Sequence, residues 1–186
     1  HDRPRCYPLK IKLASTTEAE LRDSAMPCRL ALESRRPQTD APGFAEHLEE
    51  TAQEEVDMSF LDGPYHSAAE VTDALGHPNW RIVRRFVIEQ GAKLRPIDDG
   101  LEAQLNSAYT STIRLDLQDA DYVIALTLEL GKKAGLNWVG KTLDLSKAYK
   151  QLPIKPSHRD LAVVFFRDNT GNARYYIPNS LMFGST

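Results

Sequence analysis

The sequence predicts a mixed α+β fold in which strands outnumber strand–helix–strand crossover units. Two segments rich in β-branched and aromatic residues, 84–97 and 162–177, are each interrupted by a short glycine-containing turn, which is typical of β-hairpins. Between them, residues 116–134 have apolar side chains at the spacing expected for one long packing helix. We therefore expect a sheet built mainly from hairpins, with helices packed against it.

The first 42 residues are predicted to form a loosely ordered arm. They show no sustained hydrophobic period and contain five prolines, Pro4, Pro8, Pro27, Pro37 and Pro42. Both cysteines of the chain, Cys6 and Cys28, lie here and fit no metal-ligand spacing. We expect free thiols of an intracellular protein, in the cytoplasm or the nucleus, with a disulfide as the alternative.

Residues 43–80 are predicted to form an acidic helical segment. Apolar residues at about every fourth position predict a helix from Phe44 to Phe60, which the Asp-Gly-Pro sequence that follows ends. A second short helix is expected over Ser67–Gly76, because Ser67 and Glu70 have the spacing of a capping box. The segment has nine acidic residues and no Lys or Arg, which indicates a solvated helical layer.

The rest of the chain alternates strand and helix signals. In chain order these predict a hairpin (84–90 and 93–97), a helix ended by Gly135 (116–134), a buried strand (138–145) and a second hairpin (162–166 and 173–177). No apolar run approaches the roughly 18 residues of a membrane span, so no membrane contact is expected.

Basic residues are concentrated in this second part, although the net charge of the chain is −3. Residues 81–100 contain five basic and three acidic residues, and residues 141–186 contain seven basic and three acidic residues. Such an excess suits a nucleic-acid partner, but charged runs are more often solvated faces. Arg84 and Arg85 are expected either to contact phosphates or a template, or to be exposed strand residues.

The most informative motif lies at 141–154. An apolar strand ends in Asp144, and an aromatic residue, Tyr149, follows five positions later behind the small Ala148. A strand end aims a carboxylate rigidly, and Mg²⁺ prefers hard oxygen ligands. In an isolated Asp-x4-Tyr pattern, the Asp more often only ends a strand and the Tyr more often only packs against its neighbours. Here two further motifs accompany it in a consistent order.

The 141–154 segment resembles the first palm motif of reverse transcriptases. The resemblance implies that Asp144 and the backbone carbonyl of Leu145 hold catalytic Mg²⁺, with Mn²⁺ as a possible substitute. It also implies that the ring of Tyr149 excludes a ribose 2′-hydroxyl and that Ala148 lets the backbone approach the triphosphate.

An upstream segment, 93–99, resembles a strand in the fingers of the same enzymes. There, a basic residue, any residue, Arg and Pro lead into a short apolar stretch and an Asp. The resemblance implies that Arg95, and secondarily Lys93, contact the phosphates of a nucleotide, for which a guanidinium fork is well suited. The aromatic–Arg pair that usually follows the Asp is replaced by Gly100 and Leu101.

A downstream segment, 181–184, resembles the stretch that packs under the incoming base and the template. Phe183 and Gly184 are the implied contacts, since a glycine permits close backbone approach. Met182 stands where the family usually has Pro.

Together the three motifs imply a fingers-like region at 81–137 and a partial palm at 138–186. The implied activity of the full-length parent is RNA-directed DNA synthesis, with an RNA or DNA template-primer and deoxynucleoside triphosphates as partners. The family's second metal motif, an aromatic, any residue and Asp-Asp, is expected after Thr186, so this fragment alone is expected to be inactive.

The sequence has three alternative interpretations. RNA-dependent RNA polymerases usually have a second Asp where this chain has Tyr149. Residues 158–162 resemble a protein kinase catalytic loop, but Phe165 occupies the position of its metal-binding Asn. An inactive retroelement relic, or a nucleic-acid-binding module without catalysis, remains the main alternative to a polymerase fragment.

Overall fold

The computed structural model of the chain describes residues 12–36, 41–110, 120–135 and 147–182. The chain divides into two compact units. One comprises residues 1–13 and 110–146, and the other comprises residues 14–109 and 147–186. The mixed α+β class predicted from the sequence is confirmed, because the second unit contains helices and an open, mixed, five-stranded sheet.

The sheet has the strand order β1-β5-β4-β2-β3. Its strands are β1 (Leu61–Tyr65), β2 (Ile82–Gln90), β3 (Lys93–Asp98), β4 (Val163–Arg167) and β5 (Ala173–Pro178). Both predicted hairpins are confirmed, since β2 pairs with β3 and β4 with β5 in antiparallel fashion. The central strands β2 and β4 run parallel, and β1 closes one edge against β5.

The helices of this unit lie before, between and after the first three strands. They are α1 (Glu18–Asp23), α2 (Ala25–Glu33), α3 (Phe44–Asp57), α4 (Ala68–Leu75) and α5 (Leu105–Ala108). Two 3₁₀-helical turns, Ala148–Gln151 and Pro156–Leu161, precede β4. The helix predicted from Phe44 is confirmed as α3, although it ends three residues earlier than predicted, at Asp57.

The predicted capping of α4 is also confirmed. The Ser67 hydroxyl accepts a hydrogen bond from the Glu70 backbone N–H at 3.2 Å, and the Glu70 carboxylate accepts one from the His66 N–H at 2.9 Å. At the other end, Gly76 adopts a left-handed φ of 76°, which a residue without Cβ does at little cost.

Residues 14–36 differ from the loosely ordered arm that the sequence predicts, because they contain α1 and α2. A capping box at Thr17 and Glu20 starts α1. Leu21 and Leu32 are buried, and the fully buried guanidinium of Arg81 donates to the Leu21 carbonyl at 2.8 Å. These contacts with the sheet stabilise helices too short to be stable alone.

The core lies around the parallel pair β2 and β4. Ile82, Val83, Val163 and Val164 have no exposed surface, as expected for neighbouring strands covered on both faces. Trp80, just before β2, is fully buried and donates its indole N–H to the Thr72 hydroxyl at 2.9 Å. The start of β2 is therefore held firmly against α4.

In the first unit, the structure describes helix α6 (Ala120–Ala134), which forms the C-terminal part of the predicted 116–134 helix. Its large apolar side chains are 43–60% exposed; they are Tyr122, Val123, Ile124, Leu126, Leu128 and Leu130. The strand predicted at 138–145 lies outside the described residues. Among the helices that the structure describes, none is long and apolar enough to cross a membrane.

Candidate functional site

Four of the eight site residues predicted from the sequence fall within the described part of the chain. Lys93 and Arg95 are exposed on β3, and Ala148 and Tyr149 are exposed in the first 3₁₀-helical turn. The other four, Asp144, Leu145, Phe183 and Gly184, lie outside the described residues. The described structure therefore includes the residues predicted to contact a nucleotide and not those predicted to hold a metal ion.

Strand β3 presents its two basic residues to solvent. Lys93 and Arg95 are exposed, whereas Asp98 at the end of the strand is buried. Side chains alternate between the two faces of a strand, so Arg95 and Asp98 leave β3 on opposite faces. The side chain of Arg95 therefore lies outside the protein interior, while the buried Asp98 anchors the strand to which both residues belong.

The segment Ala148–Gln151 is here called the Tyr149 turn. One of its side chains faces solvent, and the next faces the protein interior. Tyr149 is 50% exposed, whereas Lys150 is 7% exposed. Successive residues of a 3₁₀-helix are about 120° apart, which allows this opposition. Lys147, just before the turn, has left-handed backbone angles (φ 51°, ψ 43°), an uncommon conformation for a residue with a Cβ.

The inward-facing Lys150 belongs to a buried ion cluster of Glu55, Arg85, Asp98 and Lys150. Arg85 on β2 binds both carboxylate oxygens of Asp98, at 2.7 and 3.1 Å, and donates to Glu55 Oε2 at 3.0 Å. Lys150 Nζ lies 3.1 Å from Glu55 Oε2 and 4.0 Å from Asp98 Oδ2. The lysine contacts are ion pairs and not well-directed hydrogen bonds. The cluster joins α3, β2, β3 and the Tyr149 turn.

The cluster contains two cations and two carboxylates, so its net charge is zero, and no side chain in it is more than 8% exposed. Burial alone raises the pKa of Asp98, but the charge and hydrogen bonds of Arg85 outweigh it and hold that pKa below its usual value. Burial, and then the charge of Arg85, lower the pKa of Lys150, which Asp98 and Glu55 oppose. Mutual pairing is what makes these buried charges tolerable.

Two expectations from the sequence are wrong, one for Arg84 and Arg85 and one for the acidic segment 43–80. Arg84 and Arg85 are neither exposed strand residues nor placed to contact a template, because both are buried and paired. Arg84 makes a two-pronged contact with Glu102, at 2.6 and 2.7 Å. The acidic segment 43–80 is not only a solvated layer either, because Glu55 is buried beneath the Tyr149 turn.

Residues 158–161, in the segment that resembles a protein kinase catalytic loop, lie in the second 3₁₀-helical turn. Its Asp160 is buried and forms an ion pair with Arg22 of α1. A cavity of about 430 Å³ lies between the start of α3 and strands β2 and β4; its described lining includes Arg84 and Arg85 but none of the eight predicted site residues.

The described residues include no group of three or more His, Cys, Asp or Glu side chains arranged to hold a metal ion. Cys28 carries a free thiol, as predicted, and Cys6 lies outside the described residues. In comparisons with known proteins, no protein-family model and no curated protein significantly matches the chain.

Sequence reasoning missed the buried ion cluster. One signal was present: two adjacent arginines interrupt the apolar strand β2, and a buried arginine requires a carboxylate partner. The register of the predicted hairpin places Asp98 opposite Arg85, but nothing in the spacing identified Glu55 as a second partner, because it lies on the separate helix α3.

Proposed function

We propose that this chain is the fingers and the first part of the palm of a reverse transcriptase. In the full-length parent, it would serve Mg²⁺-dependent, template-directed synthesis of DNA from deoxynucleoside triphosphates. Three motifs in the order of that family support the proposal, and they span residues 93–184. The carboxylate of Asp144 and the carbonyl of Leu145 are hard oxygen donors, and the Mg²⁺ they would hold supplies charge neutralisation at the triphosphate.

One structural observation carries the proposal furthest. The buried ion cluster connects the two elements assigned to the nucleotide, since Asp98 ends the strand of Arg95 and Lys150 follows Tyr149. A polymerase must hold phosphate-binding and sugar-contacting side chains in a fixed relation, because small misplacements reduce the rate strongly. A buried ionic link between their supporting elements suits that requirement.

On each of the two elements one residue is exposed and another is buried, and this arrangement also supports the proposal. Arg95 and Tyr149 are exposed, where a nucleotide could reach them, and the anchoring residues Asp98 and Lys150 are buried. An exposed guanidinium can bind a phosphate with two hydrogen bonds. A half-exposed ring on a short turn can act as a steric barrier to one additional hydroxyl.

The test is primer extension by the natural polypeptide that contains this chain, with Mg²⁺ and deoxynucleoside triphosphates. Asp144→Asn is expected to abolish incorporation while leaving template-primer binding, measured by fluorescence anisotropy, nearly unchanged. Asp73→Asn, which removes an exposed carboxylate from α4, is the matched control and should extend the primer normally. Synthesis by Asp144→Asn near the original rate would refute the metal assignment. Template binding without any synthesis by the unmodified protein would favour a binding module.

A further inference from the structure

Helix α3 contacts the Tyr149 turn through two consecutive glutamates. Glu54 Oε2 lies 3.3 Å from Nζ of Lys147, just before the turn, and Glu55 Oε2 lies 3.1 Å from Nζ of Lys150, inside it. The two lysines flank Ala148 and Tyr149. The first pair is on the surface, whereas the side chains of the second are 7–8% exposed.

We propose that Glu55 is a positioning residue that fixes Tyr149 and thereby sets the selectivity for deoxyribonucleotides over ribonucleotides. This inference rests on the function proposed above. It gives the acidic helix α3 a role in the site, which the sequence motifs did not include. Glu55 acts through Lys150 and contacts no substrate.

The turn cannot hold its own position. It is a single 3₁₀-helical stretch, closed by Lys150 N–H to Lys147 carbonyl (2.8 Å) and Leu152 N–H to Tyr149 carbonyl (3.1 Å). Such short helices have little intrinsic stability. The left-handed backbone of Lys147 adds a conformational cost, because this region is disfavoured for residues with a Cβ. Contacts with the rest of the protein must therefore hold the Tyr149 turn in this conformation.

The chain after the turn has its own backbone anchors, which reach the turn through the hydrogen bond from the Leu152 N–H to the Tyr149 carbonyl. Leu181 donates its N–H to the Leu152 carbonyl at 2.8 Å, and Ile154 donates to the Asn179 carbonyl at 3.0 Å. These backbone bonds hold residues 152–154 against the segment after β5. Within the turn, Lys150 is the side chain held by the buried ion cluster, and Glu55 is its nearest carboxylate.

Selectivity is the property most sensitive to this anchor. The two kinds of nucleotide differ by one hydroxyl, so a steric barrier discriminates only if the ring cannot retreat. A displacement of about 1 Å at a site can change rates by about 100-fold. Loss of the Lys150 contact should let Tyr149 move away from the sugar, which admits ribonucleotides while deoxyribonucleotides still bind.

The experiment compares Glu55→Gln with Glu50→Gln in the natural polypeptide that contains this chain. Glu50 is exposed on the same helix, so the control removes the same charge without touching the turn. The ratio of kcat/KM for deoxy- to ribonucleotides should fall about tenfold in Glu55→Gln, the scale of one buried charge-assisted contact, and stay unchanged in Glu50→Gln. Tyr149→Ala should lower the ratio at least as far. Loss of stability alone would reduce both activities together and leave the ratio unchanged.

A second measurement does not depend on activity. Amide hydrogen exchange over residues 147–152 should be faster in Glu55→Gln than in the unmodified protein and Glu50→Gln. If Glu55→Gln does not fold, Glu55→Asp replaces it, because aspartate keeps the charge but its shorter side chain reaches less far towards Lys150. Glu55→Asp should show a smaller fall in the selectivity ratio and a smaller rise in the exchange rate. Unchanged exchange or an unchanged ratio in a folded Glu55 variant of an active polymerase overturns the inference alone. No nucleotide incorporation by the unmodified protein overturns the proposed function, and the selectivity role with it.

Discussion

Removal of the Asp98 charge should destabilise the fold strongly and in a pH-dependent way. Asp98 accepts two hydrogen bonds from Arg85, and both side chains are at most 3% exposed, so water cannot replace the lost partner. Breaking a buried ion pair from one side typically costs about 3–5 kcal/mol. Asparagine retains one acceptor oxygen, so we expect Asp98→Asn to lower the free energy of unfolding by about 3 kcal/mol at pH 7.

The pH dependence follows from the direction of the pKa shift. Because the pKa of Asp98 is lower in the folded protein, its charge stabilises the fold above the unfolded pKa of about 4, and this contribution is lost as pH falls through the folded pKa. The difference in unfolding free energy between the unmodified protein and Asp98→Asn should therefore be constant above about pH 5 and shrink below about pH 4.

Urea unfolding followed by far-ultraviolet circular dichroism between pH 3 and pH 7 measures this difference. Asp73→Asn on the exposed face of α4 serves as the control and should change the unfolding free energy by less than about 0.5 kcal/mol. Equal effects of the two substitutions, or a difference that does not shrink in acid, would show that Asp98 is not held as a buried, charged partner of Arg85.

Two other substitutions test separate parts of the molecule. Arg95→Ala should raise KM for deoxynucleoside triphosphates about tenfold or more in steady-state primer extension, because a charge-assisted phosphate contact is lost, with little change in the urea midpoint. Lys155→Ala, another exposed cation, should not change KM, and an Arg95 effect confined to stability would contradict the assignment. Ser67→Ala should lower the free energy of unfolding by about 1 kcal/mol because α4 loses its N-cap, whereas an unchanged midpoint would show that the cap is dispensable.

The elements predicted correctly from the sequence are those that local signals specify. Turn chemistry around Gly91 and Gly171 predicted both hairpins, and the Ser67–Glu70 spacing predicted the start of α4. These features depend on residues within a few positions of one another, so they are encoded in short segments. The same spacing at Thr17 and Glu20 forms a complete capping box at the start of α1, a helix that the proline-rich composition of residues 1–42 did not predict.

By itself, the sequence determined the α+β class, the two hairpins and the motif order that supports a polymerase site. The tertiary structure alone decided that Arg85 is buried, that Glu55 joins its hairpin neighbour Asp98 in neutralising it, and that Lys150 joins them from a distant part of the chain. The reason is electrostatic. A charge in the sequence shows no preference for solvent or for a particular partner, and the desolvation cost that makes pairing obligatory arises only when strands and helices pack around it.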